Sequence, residues 1–130
     1  MRIYILYTGG TIGSVGPVLK PLQTEGFVKA FKEYVEPTIT QQVANVEIVY
    51  DGFDHTLDST NMQPSGWVLM ANKILDNYEY CDAFIVLHGT DTMAFTSSAL
   101  SFLLPEISKP VIVTGSQLPI FYQKPDADPN

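Results

Sequence analysis

The sequence contains little cysteine, which limits both its covalent framework and its environment. Cys81 is the single cysteine among 130 residues, so no intrachain disulfide framework can form. A lone thiol fits a reducing compartment. The residues next to Cys81 carry no cationic group that would lower the pKa of its thiol. We therefore interpret Cys81 as a structural residue and not as a nucleophile.

Basic side chains are also scarce. Seven Lys and Arg residues stand against fourteen Asp and Glu residues, which gives a net charge of −7 at pH 7. The sequence has no run of basic residues that could hold a phosphate backbone or an anionic membrane surface. We therefore expect neither nucleic-acid binding nor membrane binding through bulk charge.

Long apolar runs are missing as well. A helix that spans a bilayer needs ~20 apolar residues, and no uninterrupted run in the body of the chain is longer than the one at residues 83–87. The apolar block at residues 3–7 is too short for the core of a signal peptide. We interpret it as the first strand of a cytoplasmic protein.

The composition nevertheless supplies one buried core. Apolar residues make up 45% of the chain and charged residues 16%, a balance too apolar for a disordered polypeptide. A chain of 130 residues is by default a single domain. We find no internal repeat, low-complexity tract or linker.

Short runs of β-branched and aromatic residues alternate along the chain with helical periodicities. This alternation is typical of an α/β protein with a parallel sheet. Strands are predicted at residues 3–7, 46–50, 83–88 and 111–114. The last two runs are apolar on both faces, as strands covered by helices on both sides must be.

The first predicted helix covers about residues 25–35. Thr24 is placed to cap it, and Pro37 requires it to stop before that residue. Its apolar residues recur at the spacing i, i+4, i+7, namely Phe27, Phe31 and Tyr34.

Two further helices are predicted with clear apolar faces. One has Pro64 in its first turn, and its apolar face consists of Trp67, Met70, Ala71, Ile74, Leu75 and Tyr78. The other begins near Asp91 or Thr92 and ends at Pro105. Its apolar face consists of Phe95, Ala99, Phe102 and Leu103.

The C-terminal residues carry a signal that starts a helix. Residues 126–130 read Asp-Ala-Asp-Pro-Asn, in which Asp caps the free N–H groups and Pro takes the first helical position. No helical pattern follows. We therefore expect residues 1–130 to be an incomplete N-terminal α/β domain, with a C-terminal domain absent from this chain.

Polar residues gather after the four predicted strands. The segments at residues 8–14, 58–62, 88–93 and 114–117 contain small hydroxyl residues, mostly beside glycine, and two of them contain an aspartate. In a parallel α/β sheet, ligands bind in the crevice at the carboxyl ends of the strands. Four such turns at one edge therefore predict a shared pocket.

Each of these turns also has a purely structural interpretation. The glycines before Thr11 could merely supply positive φ, and Thr11 could serve as a turn hydroxyl. Asp91 could cap the third helix or receive a ligand ammonium. His88 ends an apolar strand and is favoured as a buried structural histidine over a general base, and His55 has no partner pattern. The glycine spacing matches neither the Walker A nor the dinucleotide motif.

Two hexapeptides resemble the signatures of a known family. Residues 8–13, Thr-Gly-Gly-Thr-Ile-Gly, and residues 88–93, His-Gly-Thr-Asp-Thr-Met, resemble the signature pair of bacterial-type L-asparaginases. Residues 58–62 and 113–119 resemble two further conserved blocks, in the form found in the cytoplasmic type I branch. The resemblance covers essentially the whole chain. It implies a flavodoxin-like three-layer sandwich, in which helices flank a mainly parallel sheet.

The resemblance also implies an activity. These enzymes hydrolyse the side-chain amide of L-asparagine to L-aspartate and ammonia through a threonine nucleophile and an acyl-enzyme, without a metal or organic cofactor. By matching, Thr11 would be the nucleophile and Thr90 the second active-site threonine. Asp91 would hold the α-ammonium of the substrate, and Ser59 its α-carboxylate. The remaining substrate-binding positions implied are Gly10, Thr60, Gly89 and Ser116.

The sequence departs from the family pattern in three ways. The activating lysine lies downstream of the Ser116 block, and Lys109 and Lys124 match no catalytic position. A glutamate that the family supplies across the interface between protomers belongs to the absent C-terminal domain. The tyrosine that many relatives carry in the mobile loop is missing between Tyr7 and Tyr34. We therefore expect the 130-residue chain alone to be inactive. The resemblance also implies that the full-length protein is a homodimer or homotetramer.

Two alternative functions stay open. The chain could belong to the asparaginase-like subunit of a tRNA-dependent amidotransferase, although nothing here resembles the extra N-terminal segment expected of that subunit. It could also be a non-catalytic ligand-binding module that keeps the floor of the pocket but lacks the base. The sequence beyond Asn130 would distinguish a catalytic from a binding role.

Overall fold

The computed structural model describes residues 1–121, and a four-stranded parallel sheet forms its centre. The strands are β1 (Arg2–Gly9), the short β2 (Ser14–Val15) and β3 (Lys20–Pro21), β4 (Glu47–Leu57), β5 (Ala83–Leu87) and β6 (Val111–Thr114). The helices are α1 (Thr24–Tyr34), α2 (Glu36–Gln42), α3 (Pro64–Asp76) and α4 (Met93–Leu103). The sheet order is β4-β1-β5-β6, while β2 and β3 pair as a separate antiparallel hairpin.

Two apolar clusters cover the two faces of the sheet. One face packs against α3 and α4, with Tyr4, Leu6, Phe84 and Val86 of the sheet at its centre. The other face packs against α1 and its surroundings through the side chains of Ile5, Tyr7, Ile12, Phe27, Phe31 and Leu87. Alternate residues of β1 thus point to opposite layers, as the two-residue period of a strand requires. The predicted three-layer sandwich with a parallel sheet is confirmed.

Strand β4 is longer than the prediction of residues 46–50. It continues past the predicted end through Asp51 and Gly52, and it ends at Leu57. The Asp51 carboxylate is accommodated inside the strand because Lys73 and the Tyr4 hydroxyl both donate to it, at 2.9 and 2.5 Å from Oδ2. As a consequence, the polar turn at residues 58–62 begins directly after the last residue of β4.

The first helix begins without the predicted cap. Thr24 lies inside α1, and its hydroxyl donates to the Phe53 carbonyl of β4 at 2.8 Å, so the cap position falls to Gln23. The helix ends at Tyr34, before Pro37 as predicted. A further helix, α2, then starts with Pro37 in its first turn, and the sequence interpretation missed it. Proline disrupts the interior of a helix but is well suited to its first turn. Pro37 alone therefore did not show whether a loop or a second helix follows α1.

The prediction of the apolar face of α4 is wrong, because the helix is rotated so that other residues face the core. Phe95 and Phe102 are 66% and 84% exposed, whereas Thr96, Leu100 and the following Leu104 are buried. The reason is a polar contact: the Thr96 hydroxyl bonds to the His88 ring and accepts the indole N–H of Trp67. A threonine in the core thus sets the rotation of the helix.

Two further observations concern the described residues as a whole. Within residues 1–121, no helix is both long and apolar enough to cross a bilayer. Cys81 is buried, and burial raises the pKa of its thiol, which agrees with a structural role. The predicted helix start at residues 126–130 lies outside the described residues.

Candidate active site

A cavity of about 270 Å³ lies at the carboxyl ends of the strands, where the sequence predicts a shared pocket. Six of the eight predicted site residues line it, and the hairpin of β2 and β3 contributes to its wall. The lining residues are Gly10, Thr11, Ser14, Leu19, Pro21, Asp58, Ser59, Gly89, Thr90, Asp91 and Gln117.

Two glycines allow the polar turns to touch. Gly10 has φ of 79°, and a Cβ added there would lie 2.6 Å from the Cα of Gly89. A Cβ at Gly89 would lie 2.6 Å from the hydroxyl oxygen of Ser59. The turns after β1, β4 and β5 are therefore in direct contact, which any larger residue at these two positions would prevent. Thr11 and Thr90 are carried by these touching turns.

Hydrogen bonds hold the turns together across the sheet. The N–H of Gly10 donates to the carbonyl of Leu57 at the end of β4, at 3.0 Å. The hydroxyl of Thr92 donates to the carbonyl of Ser59 at 2.8 Å. Both bonds attach a neighbouring turn to the one that follows β4. The position of Ser59 is thus fixed from two sides, and its side chain is buried.

Thr60 and Ser116 do not line the cavity. The hydroxyl and the N–H of Thr60 both donate to Asp58, at 2.8 and 2.9 Å. These bonds, the backbone one first, hold the pKa of Asp58 below its usual value. The hydroxyl of Ser116 is bonded to the backbone of Leu118. Both side chains serve the local geometry of their turns.

Several lining residues were given no individual role by the sequence interpretation, although Ser14, Asp58 and Gln117 lie in polar segments predicted to form the pocket. Gln117 donates its side-chain amide to the Thr90 hydroxyl at 3.0 Å, and Asp58 lies beside Ser59. Each directly adjoins a residue that was singled out, so the polar turns themselves were the available signal. Ser14 and Leu19 belong to the hairpin region, which the sequence interpretation treated as loop. No apolar alternation marks so short a pair of strands.

The charge of the cavity is negative. Asp58 and Asp91 line it, and no Lys, Arg or His of the described residues does so. Hydroxyl and backbone N–H groups supply the remaining polar contacts. Such a lining suits a small ligand that carries a cationic group together with hydrogen-bonding groups. It does not suit a phosphate.

His88 lies behind the cavity as a neutral structural residue. The Trp67 indole donates to the Thr96 hydroxyl, the hydroxyl donates to Nε2 of His88 at 2.9 Å, and Nδ1 donates to the Gly89 carbonyl at 2.7 Å. A carbonyl can only accept, so Nδ1 of His88 carries a proton, and Nε2 of the neutral ring then accepts from the Thr96 hydroxyl. Burial lowers the pKa of His88. Both ring nitrogens are occupied, which agrees with the prediction of a structural histidine and leaves no general base there.

The buried imidazole of His88 predicts a pH-dependent stability. Because its folded-state pKa lies below the ordinary value of 6.5, the unfolded chain takes up a proton first as the pH falls. This contribution to the free energy of unfolding should be complete above pH 6.5 and decrease below it, by up to ~1.4 kcal/mol per pH unit. Urea unfolding at pH about 7.5 and about 5.5 measures the difference.

Matched variants assign this pH dependence to its residue. His88→Gln removes the titrating group while keeping hydrogen-bonding capacity. We expect this variant to reduce the difference in the free energy of unfolding between the two pH values. His55 is exposed, and His55→Gln should leave the difference as in the unmodified chain. An unchanged pH dependence in His88→Gln would show that the buried ring does not titrate as described.

Comparison with known proteins agrees with this geometry. The family model described as "Asparaginase, N-terminal" matches residues 2–130. L-asparaginase 1 of Escherichia coli strain K12 is 39% identical over 134 residues, which cover 98% of this chain and 37% of the relative. The crystal structure of L-asparaginase I from Vibrio cholerae is 40% identical with a TM-score of 0.82, and the match covers 96% of this chain and 37% of that one.

A related class of enzyme also matches. A glutamyl-tRNA(Gln) amidotransferase component of Thermoplasma volcanium is 36% identical over 123 residues, which cover 88% of this chain and 27% of the relative. The chain thus spans little more than a third of the length of the Escherichia coli and Vibrio cholerae asparaginases. With the family match extending over residues 2–130, the chain belongs to the asparaginase family, in the region that forms its N-terminal domain.

Proposed function

We propose that the full-length protein hydrolyses the side-chain amide of L-asparagine to L-aspartate and ammonia, with Thr11 as the nucleophile. The contact between the Thr11 and Thr90 turns, beside a cavity lined by Asp91, carries this proposal. Two threonines and a carboxylate then surround one space of amino-acid size. The similarity to named L-asparaginases supports the same activity.

The charges of the substrate match the polar groups of the cavity. L-Asparagine is a zwitterion, and its α-ammonium complements the Asp91 carboxylate. Its α-carboxylate can accept hydrogen bonds from the hydroxyl and backbone N–H groups around Ser59. The side-chain amide is then left for the threonine turns. Binding two opposite charges at two separate places gives specificity for an α-amino acid.

The reaction balances with the groups of the substrate and one water. The Thr11 oxygen bonds to the amide carbon, the C–N bond breaks, and the hydroxyl proton ends on the nitrogen, which leaves as ammonia. Water then cleaves the aspartyl ester and restores the Thr11 hydroxyl. The negative charge that develops on the amide oxygen requires hydrogen-bond donors, for which Thr90 and neighbouring N–H groups are suited.

The proton of Thr11 needs a base, because a threonine hydroxyl is a weak nucleophile at neutral pH. No Lys or His of the described residues lines the cavity. We propose that a lysine outside this chain supplies that function in the full-length protein. The 130-residue chain alone should then turn L-asparagine over negligibly.

Ammonia release by the purified full-length protein tests the proposal. We expect release from L-asparagine without any added partner or nucleic acid. The amidotransferase alternative, supported by the similarity to the Thermoplasma volcanium protein, predicts release only with a partner protein and an aminoacyl-tRNA. A non-catalytic role predicts binding of L-asparagine without release under either condition. Either of these two results contradicts the proposal.

We also propose a cytoplasmic location and a homo-oligomeric assembly for the full-length protein. The location is supported by the resemblance of its motifs to the type I branch. The assembly is supported by the same resemblance, because it implies a homodimer or homotetramer. Light scattering of the purified full-length protein measures the assembly directly.

A further inference from the structure

We propose that Ser14 is a positioning residue for the nucleophile, and that its hydroxyl holds the turn that carries Thr11. This inference rests on the proposed function, since it concerns the turn that would bear the attacking group. Ser14 ends the polar segment at residues 8–14, but the sequence motifs assigned it no role. It is buried, with 1% of its surface exposed, yet it lines the cavity together with Thr11.

Ser14 bonds to the backbone on both sides of Thr11. Its hydroxyl donates to the carbonyl of Gly10 at 3.1 Å. Its backbone N–H donates to the carbonyl of Thr11. One residue thus fixes the two carbonyl groups that flank the Cα of Thr11. The direction in which the Thr11 side chain leaves the backbone follows from these two carbonyls.

The conformation of Gly10 makes the side-chain bond important. Gly10 has φ of 79° and ψ of 176°, a region that glycine adopts without a barrier from a side chain. The backbone N–H of Gly13 also approaches the Gly10 carbonyl, but at the longer distance of 3.3 Å. Without the Ser14 hydroxyl, this longer contact alone would hold the carbonyl from within the turn.

The turn also places Ser14 on the same side as Thr11. Residues Thr11–Gly13 form one turn of 3₁₀ helix, in which side chains three positions apart lie one above the other. Thr11 and Ser14 have this separation, and both line the cavity. The Ser14 hydroxyl is committed as a donor to Gly10, so it orients the nucleophile and does not serve as its base.

The position of Ser14 predicts which kinetic constant it affects. Asp91 and Ser59, the groups proposed to bind the ends of the substrate, lie on other turns and keep their contacts when Ser14 is changed. A misplacement of ~1 Å at the reacting atom can cost about 10²-fold in rate. Loss of the hydroxyl should therefore lower kcat and leave KM nearly unchanged.

Ser14→Ala in the full-length protein is the test, with ammonia release from L-asparagine as the assay. We expect kcat to fall by about tenfold or more and KM to stay within about twofold. Ser97→Ala is the matched control, because the Ser97 hydroxyl also donates to a carbonyl four residues earlier, that of Met93, at 2.8 Å. Ser97 is exposed and does not line the cavity, so its variant should keep the original kcat.

Ser14→Cys provides a second measurement if the alanine variant fails to fold. A thiol is somewhat larger than a hydroxyl but still donates, though more weakly, so the kcat of Ser14→Cys should lie between those of the serine and alanine proteins. A kcat in Ser14→Ala equal to that of Ser97→Ala overturns the inference, even if the variant unfolds more easily. Thr11→Ala is measured in parallel: if it stays active the proposed function fails, whereas an inactive Thr11→Ala beside a fully active Ser14→Ala refutes the Ser14 role alone.

Discussion

Thr11→Ala in the full-length protein should abolish ammonia release from L-asparagine, with kcat reduced by about 10⁴-fold or more. The alanine removes the oxygen that forms the acyl-enzyme. Neither Ser14 nor Thr90 takes its place, since the Ser14 hydroxyl donates to the Gly10 carbonyl and the Thr90 hydroxyl is held by the side-chain amide of Gln117. Initial rates of ammonia release, measured with and without the substitution, give the effect.

Two further threonine variants separate chemistry from structure. Thr11→Ser keeps a hydroxyl at the same position and should retain activity within about one order of magnitude. Thr40→Ala removes an exposed hydroxyl of α2 that donates to two carbonyls of its own helix, and it should leave kcat unchanged. A Thr11→Ala enzyme that turns over L-asparagine at the rate of Thr40→Ala would disprove the assignment of the nucleophile.

Gly89→Ala should have the next largest effect. A Cβ at this position would lie 2.6 Å from the hydroxyl oxygen and 2.7 Å from the Cβ of Ser59, so the turn that carries Thr90 must move away. The site could then no longer contact the α-carboxylate and the side-chain amide of the substrate at the same time. We expect kcat/KM to fall by about 10²-fold or more, measured with L-asparagine as substrate.

Gly26→Ala is the matched control for this variant. Gly26 lies within α1, and the nearest atom to an added Cβ is a flexible side-chain carbon of Leu22 at 3.6 Å. Alanine is favoured over glycine in a helix by about 1 kcal/mol, so this variant should be at least as stable as the original and equally active. Equal activity of Gly89→Ala and Gly26→Ala would contradict the close contact of the turns as a requirement of the site.

The strands could be predicted from the sequence because their residues belong to a buried parallel sheet. The runs at residues 3–7 and 83–87 are apolar on both faces, and this pattern does not depend on distant contacts. The full length of β4 could not be predicted. Its continuation through Asp51 depends on an ion pair with Lys73 and a hydrogen bond from Tyr4, and neither is adjacent in the sequence.

The orientation of α4 shows a similar limit. Apolar periodicity points Phe95 and Phe102 inward, and the structure instead buries Thr96. Hydrophobic patterns cannot reveal a polar residue that enters the core because it completes a hydrogen-bond chain from Trp67 to His88. The same series of hydrogen bonds satisfies the ring of the buried His88. The burial of His88 itself was predicted from the apolar run that precedes it.

The pocket could be predicted better than its individual contacts. The parallel strands bring their polar turns to one edge, and the motifs in those turns predict Thr11, Ser59 and Thr90 as neighbours. The side chains of Thr60 and Ser116 turn to local backbone and side-chain partners instead. Hydroxyl groups have several partners available within two residues, so spacing alone does not determine which one they choose.

The most direct test of the account is to locate the acyl group formed during turnover. The full-length protein is mixed with L-asparagine, quenched in acid, digested, and the peptides are analysed by mass spectrometry. We predict an aspartyl ester on the peptide that contains Thr11, absent from Thr11→Ala. An ester carried by Thr90 while Thr11 remains unmodified would contradict the central claim.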